Sequence, residues 1–184
     1  MSDEVIIREL AGLDQMMTIF PLYSQVSRLS EAVVCQRLSA MFAQNNYRCI
    51  AAYIDERMVG ASGFWTGTQL WCGKYVEADN VVVDSALRSQ GIGGKMMAWI
   101  EAEAERTECA VIRIAMVLGR ERTHQFYARN GYFDDGLLMV KARRKLPPLA
   151  RAPSCSGRRF YGRMTELRDA EAPLPSAAAR ARDP

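Results

Sequence analysis

The sequence predicts an α/β (α+β) fold, with one domain at residues 1–145 and a tail at residues 146–184. Three observations predict it. Hydrophobic residues make up 49% of the 184, which is enough for a buried core and too many for wholesale disorder. Segments with strand or helix patterns follow in the order strand, two helices, three strands, helix, strand, helix, strand. Residues 76–100 join an acid-dotted strand to an amphipathic helix through a glycine-rich turn with no spare residues.

In the first half of the domain, the sequence predicts a strand at residues 5–9 and helices at 13–26 and 30–43. It then predicts a hairpin with strands at 47–54 and 58–66, followed by a turn region at 67–74. Pro21 should interrupt the first helix, because proline lacks an amide hydrogen and clashes with the preceding turn. Ser30 suits the N-cap of the second helix, and apolar residues follow it at helical spacing. The polar segment 55–57 between two apolar runs is typical of a hairpin turn.

In the second half, the sequence predicts a strand at residues 75–84, a helix at 95–106 and a strand at 111–118. A short helix at 122–130 and a last strand at 137–141 are predicted to follow. Residues 111–118 are nearly all apolar, which is typical of a strand buried on both faces. Asn130-Gly131 suits the end of the short helix, because both residues tolerate the left-handed conformation found there.

Composition and charge exclude several classes of protein. Five cysteines at scattered spacings and a single histidine predict neither a zinc site nor a disulfide framework. Residues 1–145 carry 17 Lys and Arg against 17 Asp and Glu, so a neutral domain argues against nucleic-acid binding. No apolar run approaches the ~20 residues of a membrane span, so we expect a soluble, cytoplasmic protein. The Pro-, Ala- and Arg-rich tail is expected to be disordered.

The glycine-rich turn is a candidate phosphate site. Gly91, Gly93 and Gly94 remove Cβ atoms where a ligand would touch the backbone. The helix that opens at about Gly93 directs unpaired N–H groups and its positive dipole end at the same place. A diphosphate is the ligand that this arrangement favours.

Two known phosphate loops do not fit the spacing. A Walker loop ending at Gly94-Lys95 needs glycine where Ser89 stands and Ser or Thr where Met96 stands. A dinucleotide fingerprint starting at Gly91 needs its third glycine at Met96 and an acid about 20 residues later, where residues 111–113 are Val, Ile and Arg. The turn is therefore expected to bind neither a nucleoside triphosphate nor a dinucleotide.

The remaining pattern, Arg88-x-x-Gly91-x-Gly93 between a Val-rich strand and a helix, resembles the acetyl-CoA pyrophosphate loop of the GNAT superfamily of N-acetyltransferases. A second motif, HQFYARNGYF at 124–133, is similar to the FYxxxGF segment that follows the fifth strand in those enzymes. The resemblance spans roughly residues 5–142. It implies a GNAT fold, with a central mixed, mostly antiparallel sheet, helices on both faces, and splayed fourth and fifth strands.

The resemblance also implies a site for acetyl-CoA as cosubstrate, without a metal. Residues 81–83 would pair with the extended pantetheine arm as if with an added strand, and the turn would hold the diphosphate. The implied contacts are Val81, Val82, Val83, Arg88, Ser89, Gln90, Gly91, Ile92, Gly93, Gly94 and Lys95. Arg120 or Arg122 is a further candidate for a phosphate contact.

The catalytic residues implied by the resemblance are one tyrosine and one carboxylate. Tyr127 would protonate the departing thiolate. An ammonium with a pKa of about 10.4 costs about 4.6 kcal/mol to deprotonate at pH 7, so a nearby carboxylate, or a water that it holds, would assist. Glu77 and Asp79 are the candidates, with Glu77 slightly preferred. Strict alternation places both on one face of the strand with Val81 and Val83, unless a bulge shifts the phase.

The function implied is transfer of an acetyl group from acetyl-CoA to a primary amine by direct attack. The acceptor would be a small molecule or a peptide-borne amine, with no nucleic-acid or membrane partner. A non-catalytic acyl-CoA-binding or protein-interaction module on the same fold stays open as the alternative. Dimerisation is common among relatives, so a homodimer also stays open.

Overall fold

The computed structural model describes residues 4–117, 119–136, 138–139 and 141. The predicted tail at 146–184 lies outside the described residues. The elements, in chain order, are β1 (Val5–Glu9), α1 (Leu13–Met17), α2 (Phe20–Tyr23), α3 (Glu31–Phe42), β2 (Tyr47–Ile54), β3 (Arg57–Gln69), β4 (Gly73–Val83), α4 (Ile92–Arg106), β5 (Val111–Ile114) and α5 (Glu121–Arg129). A 3-10 turn at Ser85–Leu87 links β4 to the turn before α4. None of the described helices is long and apolar enough to cross a membrane.

The five strands form one sheet in the order β1-β2-β3-β4-β5. Neighbouring strands are antiparallel except β4 and β5, which are parallel, so the predicted mixed, mostly antiparallel sheet is confirmed. The β4–β5 pairing covers only Tyr75–Ala78 and Val111–Ile114. Because β4 continues to Val83, its last five residues have no partner on the β5 side. The predicted splaying of these two strands is therefore confirmed.

A bulge in β4 reverses the faces of its second half. Ala61 pairs with Val82 and Gly63 pairs with Asp79, so β4 carries one more residue than β3 between these pairs. Asn80, in the bulge, has a left-handed backbone with φ of 53°. Asparagine is one of the few residues other than glycine that adopt this conformation readily.

The bulge corrects the alternation expected for this strand. Asp79 and Val82 lie on the side of the sheet that packs against α1–α3, whereas Val81 and Val83 pack on the α4 side. Strict alternation would have placed Asp79 together with Val81 and Val83. The carboxylate is therefore directed away from the two valines rather than lying beside them.

Helices cover both faces of the sheet, as predicted. One core lies between the sheet and α1–α3, and its buried residues include Met16, Leu22, Val34 and Leu38. The other core lies beneath α4, whose buried residues on one stripe are Ile92, Met96, Met97, Ile100 and Ala104. This spacing of three and four residues is what an amphipathic helix needs to bury one face. The first helix ends at Met17 and Pro21 lies in the first turn of α2, so the predicted interruption is also confirmed.

The end of β3 and the start of α4 differ from the sequence prediction. The hairpin strand β3 runs to Gln69 instead of ending near residue 66, because Gly67 is not a turn residue. A Cβ at Gly67 would lie 2.6 Å from the Tyr75 hydroxyl, so this glycine makes room for a cross-strand ring. Helix α4 begins at Ile92 rather than at Lys95.

The apolar segment 111–118 forms a shorter strand than predicted. Strand β5 ends at Ile114, and all four of its residues are half-buried rather than buried on both faces. Residues 115–117 are not strand, because β4 no longer lies beside them. Leu138, Met139 and Lys141, the described part of the predicted last strand, are not in a strand either.

Candidate active site

The glycine-rich turn after β4 has a backbone that glycine and few other residues adopt. Asp84 accepts a hydrogen bond from the Ala86 amide at 3.1 Å, which stabilises the 3-10 turn. Ser89 and Gly91 then both have positive φ, 66° and 81°. Gly91 is the N-cap of α4, so its left-handed conformation directs the chain into the helix.

The first turn of α4 leaves its amides available to a ligand. The Lys95 amide donates to the Gly91 carbonyl at 3.1 Å, and this is the first backbone bond of the helix. The amides of Ile92, Gly93 and Gly94 precede it and have no such partner within the helix. No side chain among the described residues caps this end, and the first turn has no acidic residue. The positive end of a 15-residue helix is therefore unneutralised.

The glycines of the first turn have different surroundings. A Cβ on Gly93 would lie 3.3 Å from the Phe126 ring of α5, so this glycine serves close packing between α4 and α5. A Cβ on Gly94 would meet nothing within 4 Å. Packing within the protein therefore explains Gly93, whereas it does not explain why position 94 lacks a side chain. The side chain of Ile92 is buried in the core beneath α4, so only its backbone can reach a ligand.

Arg88 lies beside a polar groove. Its Nε donates to the Val83 carbonyl at 3.4 Å, which holds the side chain at the end of β4. The groove has a volume of about 390 Å³ and contains two further arginines, Arg28 from the segment after α2 and Arg120 at the start of α5. Three guanidinium groups line this one groove, which makes it a positive region suited to a polyanion.

The unpaired edge of β4 leads from this positive region to the bulge. Val81 and Val83 are half-buried on the α4 side, and Val82 is 5% exposed on the opposite side. Their main-chain groups on the β5 side have no strand partner. Such an edge can accept an extended ligand as an added strand.

Asp79 lines a cavity of about 270 Å³ between the bulge and α1–α3. Burial raises the pKa of its carboxyl, while hydrogen bonds from Trp65 and the Asn80 backbone lower the pKa and nearby Glu77 raises it. The indole Nε1 of Trp65 donates to Oδ2 of Asp79 at 3.3 Å. The carboxylate is thus oriented and partly withdrawn from water.

Glu77 has a different environment. It faces Arg113, its partner in the β4–β5 register, and the carboxylate Oε2 lies 3.3 Å from the guanidinium Nη2. The same guanidinium stacks over the Tyr75 ring at 4.8 Å. Glu77 is therefore held in an ion pair and does not line the Asp79 cavity.

Tyr47 is a site residue that sequence reasoning missed. Its side chain lines the same cavity, and its ring packs on Trp65 with centroids 4.7 Å apart. The hydroxyl lies over Gly63, where a Cβ would be 1.9 Å away. No described residue forms a hydrogen bond with this buried hydroxyl. Burial is the main cause that raises the pKa of Tyr47, so the group stays protonated.

Tyr127 packs in an aromatic cluster on the α4 side of the sheet. Its ring makes edge contacts with Phe126 and Tyr132, at centroid distances of 5.0 and 5.6 Å. Burial raises the pKa of Tyr127 to about 12, so its hydroxyl is a proton donor rather than a phenolate at neutral pH. Among the described residues, none forms a hydrogen bond with that hydroxyl.

Tyr127 and Asp79 lie on opposite sides of the sheet. Tyr127 packs with the core beneath α4, Asp79 lines the cavity on the α1–α3 side, and β4 has no strand partner on the β5 side beyond Ala78.

The sequence is similar to those of known acetyltransferases. The profile of the Acetyltransferase (GNAT) family matches residues 13–132. The aminoalkylphosphonate N-acetyltransferase of Salmonella typhimurium is 32% identical over 72 residues. That match covers 39% of this chain and 45% of the relative, so the chain spans less than half the length of that protein.

Solved structures share the fold over about three quarters of this chain. The aminoglycoside antibiotic 6'-N-acetyltransferase of Acinetobacter haemolyticus has a TM-score of 0.66 at 14% identity, over 76% of this chain and 99% of that one. The glucosamine-6-phosphate N-acetyltransferase of Arabidopsis thaliana has a TM-score of 0.61 at 15% identity, over 77% and 99% of the two chains. At these identities the likeness concerns the fold.

Proposed function

Because the chain belongs to the GNAT acetyltransferase family, we propose that it is an acetyl-CoA-dependent N-acetyltransferase that acetylates a primary amine by direct attack. One observation supports this proposal more strongly than the others. The open edge of β4 runs from the uncapped start of α4 to the carboxylate at the bulge, so one extended ligand can reach a phosphate site and a proton acceptor together.

The residues of the turn suit the diphosphate of acetyl-CoA. The amides of Ile92, Gly93 and Gly94 supply donors, and the helix dipole favours the negative charge. Arg88, three residues before the N-cap of α4, can add a charge-assisted hydrogen bond, and Arg28 and Arg120 extend the positive region. We assign the main chain of residues 81–83 to the pantetheine arm, because amide and carbonyl groups of an unpaired strand edge match its two amides.

Asp79 is the better candidate for the carboxylate that assists the amine. It lines a cavity and has no cationic partner among the described residues, whereas Glu77 is paired with Arg113. The raised pKa of Asp79 also makes it a stronger base than an exposed aspartate. The slight preference for Glu77 drawn from the sequence is therefore replaced by Asp79.

In the proposed reaction the amine nitrogen adds to the thioester carbonyl of acetyl-CoA, a C–N bond forms, and the C–S bond breaks. Asp79, or a water that it holds, accepts the proton that the amine loses. Tyr127 donates its hydroxyl proton to the leaving sulfur, which its protonated state at neutral pH allows. A main-chain amide at the bulge polarises the carbonyl oxygen. No covalent intermediate on the protein is needed.

The test is release of CoA thiol from acetyl-CoA, measured with a thiol reagent across a panel of primary amines. The proposal predicts amine-dependent release by the wild-type chain. Saturable binding of acetyl-CoA without release with any amine would instead favour the non-catalytic acyl-CoA-binding module. Absence of both binding and release would remove acetyl-CoA from the account altogether.

A further inference from the structure

The cavity beside the bulge has apolar walls and one polar end. Its walls come from α2, α3 and the segment before α3, and the apolar lining residues are Ile19, Leu29, Val34, Leu38 and Met41. The polar end is formed by Asp79, Asn80 and the Tyr47 side chain. A volume of about 270 Å³ is just below the range of pockets that hold drug-sized ligands. The cavity therefore suits a small molecule with an apolar body.

The polar end contains an unsatisfied group. Tyr47 is 3% exposed, and its hydroxyl has no hydrogen-bond partner among the described residues. Asp79 and Asn80 line the same cavity as Tyr47, and by geometry neither forms a hydrogen bond with this hydroxyl. A buried hydroxyl is nearly always hydrogen-bonded in a folded protein. A ligand that donates an N–H at this point would satisfy both the hydroxyl oxygen and the carboxylate.

A positive side chain in the lining limits the charge that a ligand can carry. Arg37 on α3 lines the cavity, is exposed, and has no ion-pair partner among the described residues. Its guanidinium would repel a second cation on the ligand. A diamine or an aminoglycoside would bring such a second charge into the cavity.

We propose that this cavity binds the acceptor, and that the acceptor is a small amine with a single positive charge and an apolar body. Its ammonium donates to the Asp79 carboxylate and the Tyr47 hydroxyl oxygen, and its body lies against α1–α3. That the ligand is the acetyl acceptor rests on the proposed transferase function, whereas its chemical class is inferred from the cavity alone. Tyr47 is thereby a positioning residue for the amine.

The experiment measures binding separately from turnover. Three amines are titrated calorimetrically into the full chain saturated with CoA: 2-phenylethylamine, 1,5-diaminopentane and kanamycin. A single methylene in an apolar pocket changes discrimination by about tenfold or more, so the phenyl group should give at least that. We expect 2-phenylethylamine to bind at least tenfold more tightly than each of the other two.

Variants test the residues. Tyr47→Phe should weaken binding of 2-phenylethylamine about tenfold, while Tyr53→Phe, on the same strand and outside the cavity lining, should leave it unchanged. Arg37→Glu should improve binding of 1,5-diaminopentane several-fold relative to 2-phenylethylamine. A folded Tyr47→Phe variant with unchanged amine affinity would overturn the role given to this hydroxyl.

The outcomes separate the two proposals. Equal or tighter binding of the diamine or kanamycin overturns the ligand class, whether or not CoA is released in the turnover assay. Preferential binding of 2-phenylethylamine with no CoA release supports the ligand class and contradicts the transferase function. Preferential binding with release supports both.

Discussion

Gly94→Ala should stabilise the protein and weaken its binding of acetyl-CoA. Position 94 lies in the first turn of α4, and a Cβ there meets no protein atom within 4 Å. Replacing a helical glycine by alanine at an unstrained site stabilises by about 0.4–1 kcal/mol, chiefly because the unfolded chain loses freedom. For a chain of this length that corresponds to a rise in Tm of about 1–4 °C.

The loss of affinity follows from the proposed position of the diphosphate. If the ligand touches the backbone at Gly94, a methyl group there pushes it away from the amides of the first turn. A hydrogen bond to a charged group contributes about 1.5–3 kcal/mol, so the loss of one corresponds to about 10- to 100-fold in Kd. Opposite signs for stability and affinity are the signature of a glycine retained for a ligand.

The assay combines thermal denaturation with calorimetric titration of acetyl-CoA. Gly91→Ala is the conformational comparison, because φ of 81° costs an L-residue about 1–2 kcal/mol and should lower Tm. Ala102→Gly, at an exposed position further along α4, should lower stability by about 1 kcal/mol without changing affinity. A Gly94→Ala protein with wild-type affinity would refute the reasoning.

Three further predictions concern single side chains. Tyr47→Phe should raise the free energy of unfolding by about 1 kcal/mol in denaturant titrations, because it removes a buried hydroxyl without a partner; a loss of stability would show that the hydroxyl is hydrogen-bonded. Tyr127→Phe should lower kcat about 100-fold and leave acetyl-CoA affinity within twofold in steady-state and binding assays, and unchanged kcat would remove its acid role. The Asp79→Asn variant should become more stable relative to the wild type as the pH rises. Burial raises the pKa of Asp79, so the stability that its protonated carboxyl gives the wild type is present below the unfolded pKa of about 3.9 and is lost above the folded pKa. Denaturation at pH 3.5 and pH 8 checks this, and an equal difference at both pH values would contradict it.

Sequence reasoning succeeded where the signal was local. The glycine-rich turn between β4 and α4 depends on neighbouring residues, and Gly91 has the positive φ that glycine adopts readily. The burial stripe of α4 and the break between α1 and α2 near Pro21 likewise follow from spacing within one segment. The splayed β4 and β5 came from the family resemblance rather than from the residues themselves, and the strand register bears it out.

The acceptor side of the site depends on contacts across the sheet, which the sequence does not display. The bulge at Asn80 exists only relative to β3, and it determines which face carries Asp79. Tyr47 and Gly63 are 16 positions apart, and their contact needs the β2–β3 register. A glycine in the middle of an apolar strand was the available signal, because it often marks a close approach by another group. The Glu77 pairing with Arg113 likewise needs the β4–β5 register.

The most direct measurement compares acetyl-CoA with S-acetylpantetheine in calorimetric titrations of the full chain. The two ligands share the thioester and the pantetheine arm, and only acetyl-CoA carries the diphosphate. If the amides at the start of α4 and the arginines of the groove hold that diphosphate, acetyl-CoA binds saturably and at least 100-fold more tightly. Equal affinities, or no saturable binding of acetyl-CoA, would contradict the account.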